Sequence, residues 1–550
     1  MSNFNTFNLY LLSLRKRFQE RSRERKFSSS NYNISLGGIQ PHRIFESSNI
    51  FLIQDLINND AVILNSVRKF TTNIWKITNL EDNKINKLHN FSWLPALNIK
   101  TEKELACLII DQWINDFANY NNKYWAFDTL TTRLIFWISS YEIIFRNSDL
   151  IFRSKVINNI VKQTKHLYQN INLVEPGVER IKSLAAIILV GNSFEQYEEY
   201  TRFGLNNLES ELNNFINKDG FVKSKNPEDL YWTLYFLILI KEWLTLSQKQ
   251  TPAFINSYIN ALGICFEFLR FSNGDIPLFN GANHVNTEKF YEFLQSRDYE
   301  FNEMDNIFCG YAKIKSKKIE LFIDANNPAS TLYSKNYQAG ALSFELASNG
   351  IKFICNSGSG KNLGEELSYL SSSTAAHSTL TINDTSSCIF QKNPLIRKYF
   401  GNSLIEKHTI YKKEFKNEKE HIQCIVAHNG YEKRFKILHE RQITLFKSKN
   451  HIEGIDTLHC KDLENKNLSF SVRFHIHPDI RITKTMGNDI LLSSPEGDGW
   501  IFRSPQIPTK IEKNLYFGVS DDIKESSFIL LEGNIENATT NIIWHLEKAK

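Results

Sequence analysis

From about residue 45 to residue 300, apolar positions recur at helical spacing. Leu105, Ile109, Trp113 and Phe117 fall four apart on one face, and segments 129–145, 151–169, 178–191, 204–217 and 228–247 continue the pattern. Tyr231 to Leu246 is apolar nearly all round, which suits a helix sandwiched between others in a two-layer array. Short breaks such as Glu175-Pro176-Gly177 and Lys218-Asp219-Gly220 separate the segments. One more helix, over 287–296, is expected to close the region.

From Phe308 the pattern changes to short, alternating, turn-bounded runs, as in a large antiparallel sandwich. Leu342, Phe344 and Leu346 alternate with Ser343 and Glu345 and predict a half-buried strand. The turn Ser357-Gly358-Ser359-Gly360 follows, then a strand over about 378–382 with His377 at its mouth. A histidine at a strand end beside such a turn sits where sites are often built, and a surface loop histidine is the plainer alternative. Phe470, Val472, Phe474 and Ile476 alternate with Ser471, Arg473, His475 and His477. The latter set shares one strand face, either as a polar outer surface or as a histidine pair able to ligate a metal.

With 550 residues the chain exceeds one ordinary core. The expected organisation is α+β: a basic segment over 1–40, a helical domain over 41–305 and a β-sandwich over 306–550. The basic segment reads as a helix followed by a Ser/Asn/Gly loop ending at Gly37-Gly38. Composition is that of a soluble globular protein, 42% apolar and 23% charged. The net charge of +5 is matched by the excess in one cluster, Arg15, Lys16, Arg17, Arg21, Arg23, Arg25 and Lys26 against Glu20 and Glu24. The balanced remainder argues against a nucleic-acid footprint. The cluster itself fits a solvated helix or an anionic partner site. Seven scattered cysteines, with no C-x-x-C pair, indicate neither a disulfide framework nor a cysteine zinc site. The apolar patch 9–14 precedes its charges, the reverse of a secretory signal, and no run is long enough to span a membrane.

Several stretches together resemble a bacterial branch of the heparinase II/III family of polysaccharide lyases. They are L-H-N-F-S-W-L at 88–94, Trp125 with Asp128, Arg133 and Trp137, D-G-F-V-K-S-K-N-P at 219–227, and L-R-F-S-N-G-D-I-P-L-F-N-G-A at 269–282. A-G-A-L-S-F-E-L, A-H-S-T-L, H-N-G-Y-E-K-R-F, H-E-R, R-F-H-I-H-P and G-D-G-W-I-F-R continue the series. The order and spacing carry the resemblance, since no single piece is specific. It implies an incomplete α/α toroid followed by an antiparallel β-sandwich, with substrate in the cleft between them. It also implies cleavage of uronic-acid polysaccharides by β-elimination in a cell-envelope or periplasmic setting. The lack of a recognisable signal and the unpaired cysteines leave the cytoplasm open.

β-Elimination requires a neutralised carboxylate, a base for the α-proton and an acid for the leaving oxygen, with no redox or nucleotide cofactor. Active relatives carry an H-x-H pair before the L-S-F strand, the first catalytic and the second a zinc ligand. A downstream Asp and a His complete that metal site. The corresponding positions here are Asn336, Gln338, Asn356 and His377, of which only His377 keeps its type. Lacking an anionic ligand, this set predicts a neutral hydrogen-bond network instead of zinc. Where relatives place an Asn-His pair this chain has Val174-Glu175, and their tyrosine falls at Asp229, with Tyr231 two residues on. The candidate proton carriers are thus His377, Tyr231 and His284, with Tyr231 equally readable as a packed helix residue. Arg180 can meet a substrate carboxylate or pair with a neighbouring acid. Asn226 and Asn283 can hold sugar hydroxyls or serve turns. The expected function is a lyase for an acidic glycan, the alternative a carbohydrate-binding protein on a degenerate lyase fold. A glycoside hydrolase would need two opposed carboxylates, and Asp219, Glu228 and Asp229 are the only clustered acids near the cleft that the resemblance implies.

Overall fold

The computed structural model describes residues 2–28, 50, 52–69, 74–76, 81–302, 304, 306–462, 467–519 and 522–549. The loop expected up to Gly37-Gly38 lies outside them. The chain divides into two compact units: Met1–Leu14 with Ile216–Tyr231 and Ala261–Lys550, and Arg15–Phe215 with Trp232–Asn260. The sequence pattern draws its line near residue 305. In the structure two stretches of the helical half, 216–231 and 261–305, belong with the strands, because their loops bond to strand residues as described below.

The second unit is helical. Its helices include Lys103–Phe117, Phe127–Ser139, Leu150–Asn170, Val178–Ser193 and Glu198–Phe215. Val178–Ser193 packs against Phe127–Ser139, Leu150–Asn170 and Glu198–Phe215. That central position explains why it is buried nearly all round from Ser183 to Ser193. The segment expected over 129–145 is broken at Ser140, with a short turn Tyr141–Ile144 after it. The Trp/Arg motifs are architectural here. Arg133 is fully buried. It donates to the carbonyls of His89 (2.8 Å) and Tyr124 (3.0 Å) and to Gln163 Oε1 (2.8 Å), and its guanidinium lies over the Trp113 ring at 4.2 Å. Trp93 and Trp113 donate to the Leu88 carbonyl and to His89 Nδ1. One guanidinium thereby gathers three loops and helices into a single core.

The first unit is a β-sandwich. Among its described residues one antiparallel sheet of nine strands runs, in spatial order, Ile307–Phe308, Tyr311–Ser316, Ile319–Asp324, Phe344–Ser348, Ile351–Cys355, Ser469–Ile476, Lys524–Asn534 and Lys510–Tyr516. The ninth strand, Leu380–Ile382, pairs with residues 470–472, while Ile351–Cys355 pairs with the far end of the same strand. The second sheet runs Arg481–Lys484, Ile490–Ser493, Gly499–Arg503, Thr539–Lys548, His451–Cys460, Ile437–Phe446, His421–His428 and Ile410–Asn417. Inward residues of both sheets, among them Phe344, Ile443, Phe474 and Trp544, form one buried cluster.

Two expectations about faces are corrected. Phe344–Ser348 is buried on both sides, including Ser343 and Glu345, because the loops of 271–284 cover its outer face. The polar face of Ser469–Ile476 is likewise not an outer surface: His475 is buried. Its Nε2 donates to the Ala375 carbonyl (2.9 Å) and its Nδ1 accepts from Ser357 Oγ (3.3 Å).

At the centre of the sandwich Arg441 makes a bidentate pair with Asp456 at 2.7 and 3.0 Å, both fully buried. Burial alone would raise the Asp456 carboxyl, but Arg441 and His439 hold it below the usual carboxylate range. Trp544 Nε1 and His439 Nε2 also donate to Asp456. His439 Nδ1 accepts from His428 Nε2 (3.1 Å), and His428 Nδ1 accepts from the Gly430 amide (3.0 Å). Each proton in this row has one consistent place. Asp456→Asn would leave Arg441 buried without its counter-charge. We expect it to destabilise the sandwich by about 3–5 kcal/mol, read as a lowered denaturant midpoint of the strand-rich unit.

Candidate functional site

Apart from Tyr231, the candidate residues of the first unit fall into one polar assembly. Gln338 lies on the loop before Phe344–Ser348, and both ends of its amide meet backbone. Oε1 accepts from the Gly281 amide (3.0 Å) and Nε2 donates to the Gly358 carbonyl (2.9 Å). Those two partners fix the amide's orientation. His377 is fully buried between Ser373 and Gln338, its Nδ1 2.8 Å from the Ser373 carbonyl and its Nε2 3.3 Å from Gln338 Oε1. Both ring nitrogens therefore face acceptors. Only an imidazolium could donate to both, and burial opposes that form by pushing the pKa down to about 4. The neutral ring donates to Ser373, at the shorter distance. The glycine at 340 is needed here, since a Cβ would fall 2.7 Å from His377 Cδ2. The plain alternative of a surface histidine is thus excluded.

Asn356 is fully buried and accepts from the Ser378 amide through Oδ1 (3.0 Å). Its Nδ2 has no hydrogen-bond partner among the described residues. Asn283 Oδ1 accepts from the Ser359 backbone amide (2.8 Å), and the Asn283 backbone N–H donates to Glu228 Oε2 (3.0 Å). Glu228 pairs with Lys361 at 2.6 Å. Asn226 Oδ1 accepts from the Glu228 amide at the start of the helix Pro227–Leu246, so it does serve a turn. Asn336 is half-buried and its carbonyl lies where a Cβ on Gly281 would be, 2.2 Å away. Gly281 has φ +97°, and that approach admits no side chain.

A second branch reaches His284. Its Nδ1 lies 3.2 Å from Asp275, and the side chain is 47% exposed. Asp275 is 3.8 Å from Lys352, which is 3.3 Å from Glu345. Glu345 accepts from the amides of Asn356 and Leu278. Burial pushes the Glu345 carboxyl up, opposed by Lys352. Asp275 is held down to about 2, against burial, by His284 and Lys352. Tyr231 and Arg180 stand apart from this assembly. Tyr231 is fully buried and its ring meets Phe290 edge-on at 5.2 Å. Arg180 belongs to the helical unit. It pairs with Glu211 (2.8 Å) and donates to the Val174 carbonyl (2.7 Å), so the acidic-neighbour alternative is the one realised.

Glu345, Lys352, Asp275 and Lys361 escaped sequence reasoning. The strand alternation places Glu345 on an outer face, and nothing local reveals the loop that covers it. Beside the His377 shell lies a cavity of about 570 Å³, lined in part by Ser357, Ser373, His477, Lys513, Asn514 and Phe517. Asn514 Nδ2 donates to Ser357 Oγ (3.3 Å), which ties the cavity wall to His475.

A zinc ion does not fit the donor set. Both ends of the Gln338 amide and the Asn356 oxygen are engaged by backbone, and the nearby carboxylate Glu345 is paired with Lys352. Among the described residues no three His, Cys, Asp or Glu side chains gather as a metal site.

The family model for the heparinase II/III-like C-terminal domain matches residues 300–545. The chain is similar to the crystal structure of heparinase III, with a TM-score of 0.69 and 15% identity, covering 94% of this chain and 87% of that one. It is also similar to a mutant of heparan sulfate lyase HepC from Pedobacter heparinus, with a TM-score of 0.60 and 14% identity over 98% and 88% of the two chains. A curated relative, FtsZ-localized protein C of Caulobacter vibrioides, is 23% identical over 480 residues, 84% of this chain and 81% of that protein. A helical region joined to paired antiparallel sheets is the fold of a polysaccharide-lyase-like protein. Residues 300–545 of this chain form a heparinase II/III-like C-terminal domain, and the chain shares the fold of heparinase III.

The buried histidines set an acid limit. His377 and His408 are lowered to about 4 and His475 to about 3, in each case mainly by burial. Unfolding frees them to titrate near 6.5, so below that pH the unfolded chain binds protons that the folded chain refuses. Stability is full above about pH 6.5 and falls as pH drops toward 4, by about 1.4 kcal/mol per pH unit for each ring. Chemical denaturation at stepped pH measures this slope, and His408→Gln should flatten it.

Proposed function

We propose that this protein binds an acidic, uronic-acid-containing glycan of the cell envelope on a lyase fold that does not turn it over. The burial of His377 and Tyr231 carries this reading. A proton carrier for β-elimination must reach the sugar α-carbon or the leaving oxygen. His377 instead spends its proton on the Ser373 carbonyl, and Tyr231 is enclosed by Phe266 and Phe290. The cavity offers what recognition of an acidic sugar needs: the Lys513 ammonium for a carboxylate, Asn514 and two serine hydroxyls for hydroxyl groups, and the Phe517 ring.

One observation favours a second reading, turnover by β-elimination. The half-exposed His284 imidazole has Nδ1 3.2 Å from Asp275, a carboxylate partner of the kind a proton carrier uses.

Calorimetric titration with heparan sulfate, alginate and polygalacturonate oligosaccharides should show binding. Lys513→Glu should weaken it about tenfold. The same mixtures should show no rise in the ultraviolet absorbance of an unsaturated uronate. Such a rise, abolished in His284→Ala, would replace the binding reading with the lyase.

A further inference from the structure

The cavity beside the His377 shell has two charged side chains in its lining among the described residues, Lys513 and Glu525. His477, a third titratable group there, is neutral at pH 7, because burial pushes it down to about 4. The wall therefore carries one cation, one anion and no net charge. Lys513 lies on Lys510–Tyr516, an edge strand of its sheet, and Glu525 lies on the neighbouring strand Lys524–Asn534. Lys513 stands opposite Ser527, and Leu515 stands opposite Glu525. Side chains directly opposite, and those two apart on one strand, share a face of the sheet. The four form one patch, with Lys513 and Glu525 at diagonal corners about 7–8 Å apart. Both are exposed, and among the described residues neither makes an ion pair or a side-chain hydrogen bond. Lys510, on the same strand, is by contrast paired with Glu532 at 2.8 Å.

Two free opposite charges about one sugar ring apart suit a ligand that offers one carboxylate and several hydroxyls. The Lys513 ammonium meets the carboxylate. The Glu525 carboxylate only accepts, and a hydroxyl can donate to it. A sulfate ester on that hydroxyl removes the donor and sets a second anion against Glu525. Like charges brought together at a binding surface lower affinity strongly and reject the wrong partner. A wall built for densely sulfated chains would carry several cations, and this one carries a single ammonium offset by a carboxylate.

We infer, resting on the acidic-glycan reading above, that the cavity takes unsulfated uronic-acid glycans and that Glu525 is the residue that turns sulfated ones away. The test is displacement of a fluorescent hexasaccharide from the full chain, run separately with galacturonate, alginate and heparosan hexasaccharides. The competitors are the same sugar unlabelled and the same sugar after O-sulfation. Only the labelled sugar is read, so sulfated chains that settle on the exposed arginines of the helix Ser2–Ser28 do not register. On the wild type the sulfated competitor should be about tenfold weaker than the unsulfated one. Glu525→Gln should bring the two within about threefold, and Glu525→Lys should make the sulfated form the better competitor. Glu525 is exposed, and circular dichroism checks that both variants keep the fold. Equal displacement by the two forms on the wild type overturns the inference and leaves the acidic-glycan reading standing. So does calorimetric binding of the sulfated sugars with none of the unsulfated ones. A ratio unchanged in both variants also overturns it, because the discrimination then belongs to another group. Absence of binding by every sugar, sulfated or not, overturns it together with the acidic-glycan reading.

Discussion

The buried pair of Arg441 and Asp456 is the constraint on which the strand-rich unit hangs. Asp456 engages two of the three guanidinium nitrogens, Nε and Nη2. The remaining one reaches across the sandwich to the carbonyls of Leu342 and Ser378, at 2.9 and 2.8 Å. Those carbonyls belong to the two segments that carry the candidate assembly, one just after Gln338 and the other adjoining His377. A single planar cation thus sets the distance between Gln338 and His377 from the opposite sheet. Lysine could not substitute, because a point charge cannot hold a carboxylate by two atoms and two carbonyls at defined angles. Leu342 adopts φ +57°, an uncommon value for leucine, at the place where its carbonyl is held.

The second support is the row His284, Asp275, Lys352, Glu345. It joins a surface imidazole to a carboxylate sealed beneath the loop 271–284. Lys352 also donates to the Ile276 carbonyl, so the loop is fastened to the sheet by the same ammonium that neutralises Glu345. The charge of the row and the path of the loop are therefore coupled.

The two halves of the chain were legible from periodicity, and the change near residue 300 marks a real change from helices to strands. The grouping of Gln338, Asn356 and His377 followed from their resemblance to a known arrangement, and the structure brings them together. What stayed hidden was long-range. Alternation places Glu345 and His475 on an outer face, and only the covering segments show that these faces are inside. Arg180 illustrates the same limit: Glu211 lies one helix away, out of reach of any local spacing rule. Tyr231 and Asn226 sit at the N-terminal end of one helix, and their plainer readings, packing and capping, are what the geometry displays.

The sheet order bears on how the protein is made. Lys524–Asn534 lies between Ser469–Ile476 and Lys510–Tyr516 in one sheet, and Thr539–Lys548 between Gly499–Arg503 and His451–Cys460 in the other. Neither sheet is continuous before these two strands arrive, and both follow the other described strands in chain order. A ribosome that has already produced most of the sandwich therefore holds two open seams, with the long strands on either side exposing unpaired backbone. The helices of the other unit need no such wait, since their hydrogen bonds are local. Synthesis thus leaves a half-finished sandwich beside helices free to fold, an interval in which wrong pairing of the open seams competes with completion.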